Sequence, residues 1–293
     1  MVRPRCRFFL PVLLLIAGAL HASEPSLPTK SIECQTVPEL DSLLAPGNVL
    51  LLGEMHGTEQ SPRFTAAVTC QGLRKGLPVT VGLEIPRGQE PAGVAYLASE
   101  GTAKDREALL STEIWTRSYQ DGRSSQAMLG LIEELRRFSR GGLPVRIRWI
   151  DIDGQDPERD RKMAERLAEA VAERPADLFV VLTGNLHTRQ AKGTPWNKDF
   201  YPMGLHLTQI APKARVISLD SSYTDGETWA CLQTETAPGG ECKVWPMKGK
   251  GKSEGPFPRV VLNSGLDEKG YHGVYEIGPL SASLPAVPAQ GGR

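Results

Sequence analysis

Four short segments of the chain hold residue types suited to activating water: Gly53-Glu54-Met55-His56-Gly57, Leu83-Glu84, Asp151-Ile152-Asp153 and Gly184-Asn185-Leu186-His187. Glu54 and His56 are two residues apart, so in an extended segment their side chains point the same way. Gly53 and Gly57 let the backbone turn around them. A carboxylate beside an imidazole sets its tautomer and raises its basicity, which makes a general base for water. In the competing reading Glu54 caps the following helix and His56 is an ordinary loop histidine. A second histidine in a like setting, His187, weighs against that. Two histidines with carboxylates also suit Mn, Co or Zn, with His56, His187 and Glu54 as ligands.

Glu84 follows an apolar run, where an unpaired carboxylate is costly to bury. It either pairs with Arg87 or Arg159 as structure, or serves as a second acid, base or ligand. Asp151 either orders its loop or joins the site. Arg159 and Asp160 sit in the first turn of a helix, where Arg159 would orient a carboxylate or hold an anionic substrate group, or belong simply to a charged helix face. His206 and His272 lie outside this convergence and read as ordinary. No Gly-x-Ser-x-Gly, Walker loop, Gly-x-Gly-x-x-Gly or His-Glu-x-x-His occurs, which removes sequence support for the serine-hydrolase, nucleotide and zincin readings.

Each segment ends a run that reads as a strand: 48–53, 79–84, 146–150 and 178–184. Between them lie helical patterns. One starts at Ser61-Pro62, with Phe64, Ala67, Val68 and Leu73 inward. A short one covers 89–100. One covers 124–138 with Met128, Leu131, Leu135 and Phe138 inward. One is opened by Asp156-Pro157 as cap and first residue, with Met163, Leu167, Ala170 and Val171 inward. Residues 101–122 are weakly patterned and read as a helical excursion or lid. A fifth strand is expected at 216–219. Strands alternating with helices predict an α/β fold with a mainly parallel central sheet and helices on both faces. Short strand candidates at 228–232, 259–263 and 273–277 predict a short β-rich C-terminal extension, and 248–256 reads as a flexible loop. In such sheets ligands bind outside the carboxyl ends of the strands, where all four segments fall.

Arg3, Arg5 and Arg7, the apolar run from Phe8 to Leu20 and Ala22 have the layout of a secretory signal peptide over 1–22. The run is shorter than the ~20 residues of a membrane-spanning helix, and no lipoprotein cysteine follows it. The chain is therefore expected to be exported, periplasmic or secreted, with no transmembrane span. The full chain balances 34 Lys+Arg against 34 Asp+Glu. Losing 1–22 removes three arginines and no acid, so the mature product is slightly acidic, and no basic face marks a nucleic-acid partner. Cys6 leaves with the signal. The four that remain suggest two disulfides. Of three pairings, Cys231–Cys242 across the Pro238-Gly239-Gly240 turn, with Cys34–Cys70 tying the N-terminal arm to the first helix, is the expected one.

In these residues the sequence resembles the ChaN-like/Tiki superfamily, which also includes erythromycin-esterase-like proteins. The resemblance rests on Gly53-Glu54-Met55-His56, Leu83-Glu84, Arg159-Asp160-Arg161-Lys162-Met163-Ala164 and Gly184-Asn185-Leu186-His187, in that order, over about residues 47–220. It implies a single α/β domain over 47–280, after an arm at 23–46; the tail at 281–293, rich in Ser, Ala, Pro and Gly, reads as disordered from its composition. It also implies a site of Glu54, His56, Glu84 and His187, with Arg159 and Asp160 in support, to which the strand-end position of Asp151 adds a third supporting residue. ChaN-like members are associated with haem binding and iron uptake at the cell envelope. Tiki members look like metal-dependent proteases, and the esterase members use Glu and His to activate water. This chain lacks the lipoprotein cysteine, an assignable tyrosine ligand for haem and the extra helical half of the erythromycin esterases. The expectation is an exported hydrolase acting on a small-molecule or peptide substrate. The alternatives are a haem-binding envelope protein using His56 or His187 as axial ligand, and a binding module with a relic site.

Overall fold

The computed structural model describes residues 32–235, 237, 240–249 and 255–288. The signal segment, most of the N-terminal arm, Pro238-Gly239, most of the loop expected at 248–256 and residues 289–293 lie outside the described residues. From Ile32 onward the chain forms one compact unit.

Among the described residues eight strands make one sheet: β1 (Asn48–Glu54), β2 (Val79–Pro86), β3 (Val145–Asp151), β4 (Leu178–Gly184), β5 (Arg215–Leu232), β6 (Glu241–Met247), β7 (Arg259–Leu262) and β8 (Gly273–Leu280). The order is β3-β2-β4-β1-β5-β8-β7, with β6 paired to β5 off this path. The six strands from β3 to β8 in that order run parallel, whereas β7 and β6 pair antiparallel. Since β4 lies between β1 and β2, their carboxyl ends stand side by side, with β3 next in line.

The helices are α1 (Gln60–Arg74), α2 (Glu90–Ala98), α3 (Ala103–Leu110), α4 (Glu113–Thr116), α5 (Gln126–Arg140), α6 (Arg159–Glu173) and α7 (Met203–Ile210). Alternate residues of the central strands feed two separate cores. Leu50, Leu52, Val81, Leu83, Val180 and Leu182 pack with Phe64 and Val68 of α1 and Leu131, Ile132 and Leu135 of α5. Val49, Leu51, Phe179 and Val181 pack on the other face with Met163 and Leu167 of α6 and Met203 and Leu207 of α7. Both faces are thus covered, which is why every residue of β1 is buried and why these strands read as unbroken apolar runs. Truncating a buried residue such as Leu51 or Leu167 to alanine costs about 2–5 kcal/mol.

The bridges Cys34–Cys70 and Cys231–Cys242 are both present. Among the described residues no helix is long and apolar enough to cross a membrane.

Several expectations need correction. α1 begins at Gln60, before the Ser61-Pro62 start, because Glu59 N donates to Ser281 O and Gln60 Oε1 accepts from Ser281 N. Residues 281–288 are therefore not a disordered tail. Ala282 bridges Thr58, Pro285 bridges Ser125, and the Ser283 hydroxyl accepts from Ala127 N. α6 starts at Arg159 rather than at Pro157, since Asp156 closes the preceding turn by accepting from Glu158 N at 2.7 Å. Of the two readings offered for residues 101–122, the helical excursion holds: they contain α3 and α4, and Leu109, Ile114 and Trp115 are buried in the core, which sets aside the lid. The candidates at 216–219 and 228–232 are the two halves of the single 18-residue β5.

Candidate active site at the carboxyl ends of the strands

Glu54 ends β1 and is buried, and the turn after it places His56 at the same edge. Their spacing works as expected: His56 Nδ1 lies 2.8 Å from Glu54 Oε1. The other ring nitrogen, Nε2, lies 3.5 Å from Glu84 Oε2. Burial alone would lower the imidazole pKa, but the Glu84 and Glu54 carboxylates outweigh it and raise it to about 10. At neutral pH His56 is therefore an imidazolium clamped between two carboxylates, the acid form rather than the expected free base.

Glu84, near the end of β2, is held on both oxygens. Oε2 accepts from Thr183 Oγ1 at 2.5 Å and Gly184 N at 2.7 Å. Oε1 accepts from Arg159 Nη2 at 2.7 Å and from Arg123 Nη1 at 3.3 Å. Burial would raise its pKa, but the His56 charge and the Arg123 guanidinium hold it well below the usual carboxylate range. The residues expected to be structural partners of Glu84 thus include Arg159, which sits in the first turn of α6 as foreseen.

Asp151, the last residue of β3, receives Arg159 Nε on Oδ1 at 2.7 Å, Arg159 Nη2 on Oδ2 at 2.8 Å and Arg123 Nη1 on Oδ2 at 2.6 Å. His187, in the turn after β4, places Nδ1 2.8 Å from Asp160 Oδ2 and Nε2 3.0 Å from Arg159 Nη1. A guanidinium only donates, so Nε2 accepts and the ring carries its proton on Nδ1, given to Asp160. Asp160 also accepts from Met203 N at 2.8 Å, which ties it to the start of α7.

The seven expected residues therefore form one connected network. The structure adds Arg123, Asp121 and Thr183. Arg123 and Asp121 come from the irregular stretch between α4 and α5, which carries no periodic signal. Thr183 precedes Gly184 in β4, and its strand-end position is the one sequence clue to it. Gly184 has its own role. A Cβ there would stand 3.1 Å from His56 Nε2 and 3.5 Å from both Glu84 Oε2 and His187 Cδ2. His206 tilts against Tyr201 and His272 accepts from Ser218 N, both outside the network as expected. Asp153 lies at the exposed edge, 3.3 Å from Gly88 N.

Above the network is a cavity of about 280 Å³ lined by Glu54, His56, Asp121, His187, Ala230 and Cys231 among others. Both nitrogens of each imidazole are turned to protein groups, and a guanidinium lies beside His187 where a metal cation would be repelled. The donor set does not fit a metal, and among the described residues no group of three His, Cys, Asp or Glu side chains is arranged to hold one. Haem fits no better: each nitrogen of His56 and of His187 faces a protein group, which leaves none turned outward for an axial bond.

No family matches the chain by sequence, and no curated protein does. Solved structures do match. A mutant of erythromycin esterase EreC in its open conformation has a TM-score of 0.53 at 12% identity, covering 69% of this chain and 77% of that one. A Bacillus cereus protein gives 0.53 at 12% identity over 84% of this chain and 92% of that one. A succinoglycan biosynthesis protein gives 0.55 at 11% identity over 84% and 91%. At such identities the likeness is one of fold. The chain has a mixed α/β fold shared with erythromycin esterase, carrying a buried network of carboxylates, imidazoles and guanidiniums at its strand ends.

Proposed function

We propose that this protein is a hydrolase that activates water with Glu54 and His56. The observation that carries the reading is the placement of the His56 ring between Glu54 at 2.8 Å and Glu84 at 3.5 Å, at the floor of a cavity. Glu54 takes a proton from a water molecule as its oxygen attacks the substrate carbonyl. His56 gives a proton to the oxygen or nitrogen that leaves when the tetrahedral adduct breaks. Return of one proton from Glu54 to His56 resets the site. Glu84, Arg123, Arg159 and Asp151 fix the floor, and His187 forms the far wall. Preorganised charge of this kind is the largest contribution in many hydrolytic sites.

Two features support a small-molecule or peptide ester or amide as substrate: the compact cavity and the fold shared with an esterase. Export to the periplasm or outside the cell is supported by the two disulfides, which persist in oxidising compartments. Purified protein assayed against ester and amide panels, with and without chelator, tests the reading. Turnover insensitive to chelator and abolished in His56→Ala is expected, and equal turnover in that variant removes the assignment. A Soret shift on adding haem, lost in His56→Ala or His187→Ala, would instead favour the haem-binding alternative.

A further inference from the structure

The wall made by Arg123, Asp151 and Arg159 has a second side. There lies a separate cavity of about 320 Å³, bounded also by Arg117, Ile114 and Asp153. It shares no lining residue with the cavity over His56.

Three guanidiniums line this cavity, and they are not equivalent. Arg123 and Arg159 are consumed by Glu84, Asp121 and Asp151, and burial is outweighed so that both are held above the ordinary arginine value. Among the described residues Arg117 has one acceptor, Asp121 Oδ1 at 2.5 Å, and Arg123 Nε draws on the same oxygen at 3.2 Å. Its Nε is buried and has no hydrogen-bond partner among the described residues. Burial exceeds what the surrounding carboxylates return, so Arg117 alone of the three is held below its ordinary value. An arginine has five N–H donors, and in this half-buried guanidinium the buried Nε–H stays short of an acceptor until an anion meets it.

The acids on the cavity walls do not supply that anion. Asp151 is already bound by both other guanidiniums. Glu113 and Asp153 are exposed at the mouth, where water and salt screen them. Buried Ile114 gives the cavity an apolar side, which strengthens any charge pairing made against it.

We propose that this cavity is an oxyanion-binding site, separate from the cavity over His56, in which Arg117 takes a carboxylate or phosphate group.

Calorimetric titration of the full chain with inorganic phosphate, and separately with acetate, tests the site. Saturable binding of at least one is expected, and the tighter of the two identifies which oxyanion the site suits. Arg117→Gln should weaken it at least tenfold. Asp153→Asn, which removes a like charge at the mouth, should tighten it two- to fivefold. Should Arg117→Gln fail to fold, the Asp153→Asn result decides alone. Absence of binding, or an affinity unchanged in either folded variant, overturns the proposal. His56→Gln separates the two readings: it should keep the anion affinity while losing turnover.

Discussion

Glu54 Oε1 and His56 Nδ1 lie 2.8 Å apart with only Met55 between their residues. The contact is local in sequence, yet its consequence depends on Glu84, which comes from the next strand and holds the opposite nitrogen. Replacing Glu54 by glutamine keeps the shape and removes the charge. Glu54→Gln should lower kcat by about 10²–10⁴, the usual worth of a positioned acid or base. An NMR titration of the His56 ring should show its pKa falling from about 10 toward the ordinary value. A variant with unchanged kcat and an unmoved imidazole titration would sink the role of the pair.

The raised pKa of His56 also sets the sign of a pH dependence. The folded value of about 10 lies above the ordinary 6.5, so the native state holds its proton more tightly than the unfolded chain does. The stability this brings is complete below about pH 6.5 and is lost as pH rises toward 10. Glu84 acts in the opposite sense: its depressed pKa contributes stability above the usual carboxylate range, lost only in acid. Melting temperatures followed from pH 6 to 10 should fall more steeply for the native chain than for His56→Gln. Activity should share the alkaline limb, since His56 supplies a proton in the reaction. A limb centred near 6.5 would show that the clamp does not hold.

Arg159 donates to Glu84, to both oxygens of Asp151 and to His187. A lysine cannot reproduce this fork, because it carries one compact charge. Arg159→Gln leaves buried carboxylates short of a partner, which costs roughly 3–5 kcal/mol for a buried pair broken on one side. Arg159→Lys should recover part of that stability and little of the activity. Chemical denaturation with turnover measured on the same samples checks both. Equal stability in all three proteins would mean that Arg123 alone neutralises Asp151 and Glu84.

How far the sequence discloses this site follows from where each residue sits. Glu54, Glu84, Asp151 and His187 are legible because a buried parallel strand reads as an apolar run, and a polar residue at its end is conspicuous. Arg159 and Asp160 follow from the opening of a well-patterned helix. Arg123 and Asp121 are not legible: they lie in an irregular stretch, and only the folded chain brings them under the ends of β2 and β3. The charge state of His56 was equally hidden, since it depends on two carboxylates arriving from different strands. The length of β5 escaped because its pattern changes partway. The first half is buried on both faces, whereas the second leaves the parallel sheet to pair with β6.

A side chain at Gly184 should disturb the site and not the fold. An added Cβ would press on His56 Nε2 at 3.1 Å, inside ordinary contact distance, and reach Glu84 and His187. The strand itself would remain, since the surrounding β4 residues are unaffected. Gly184→Ala is therefore expected to fold with a melting temperature within a few degrees of the native one while losing at least tenfold in kcat. Full activity would mean that the reacting group does not sit among these three side chains.

The β5–β6 hairpin makes the last connection between a crosslink and the chemistry. Thr228 Oγ1 donates to His56 O at 2.7 Å, and Trp229 N donates to Gly57 O at 3.0 Å. Trp229 Nε1 donates to Gln120 O at 2.7 Å, near Asp121. Cys231 lines the cavity over His56 and is joined to Cys242 on the paired strand. The hairpin thus holds the backbone of the His56 turn from outside the parallel sheet, and the disulfide closes it over a short loop. Such a loop is worth about 3 kcal/mol in the chain-entropy account. The double variant Cys231→Ser with Cys242→Ser should lose stability of that order. It should also lose kcat more than KM rises, because the turn carrying His56 is loosened while the cavity walls from β1 to β4 stay in place. Thr228→Val removes one hydrogen bond without touching the disulfide. It should reproduce a smaller kcat loss at nearly native stability. If Thr228→Val is fully active and the disulfide variant loses stability alone, the hairpin braces the fold and does not position His56.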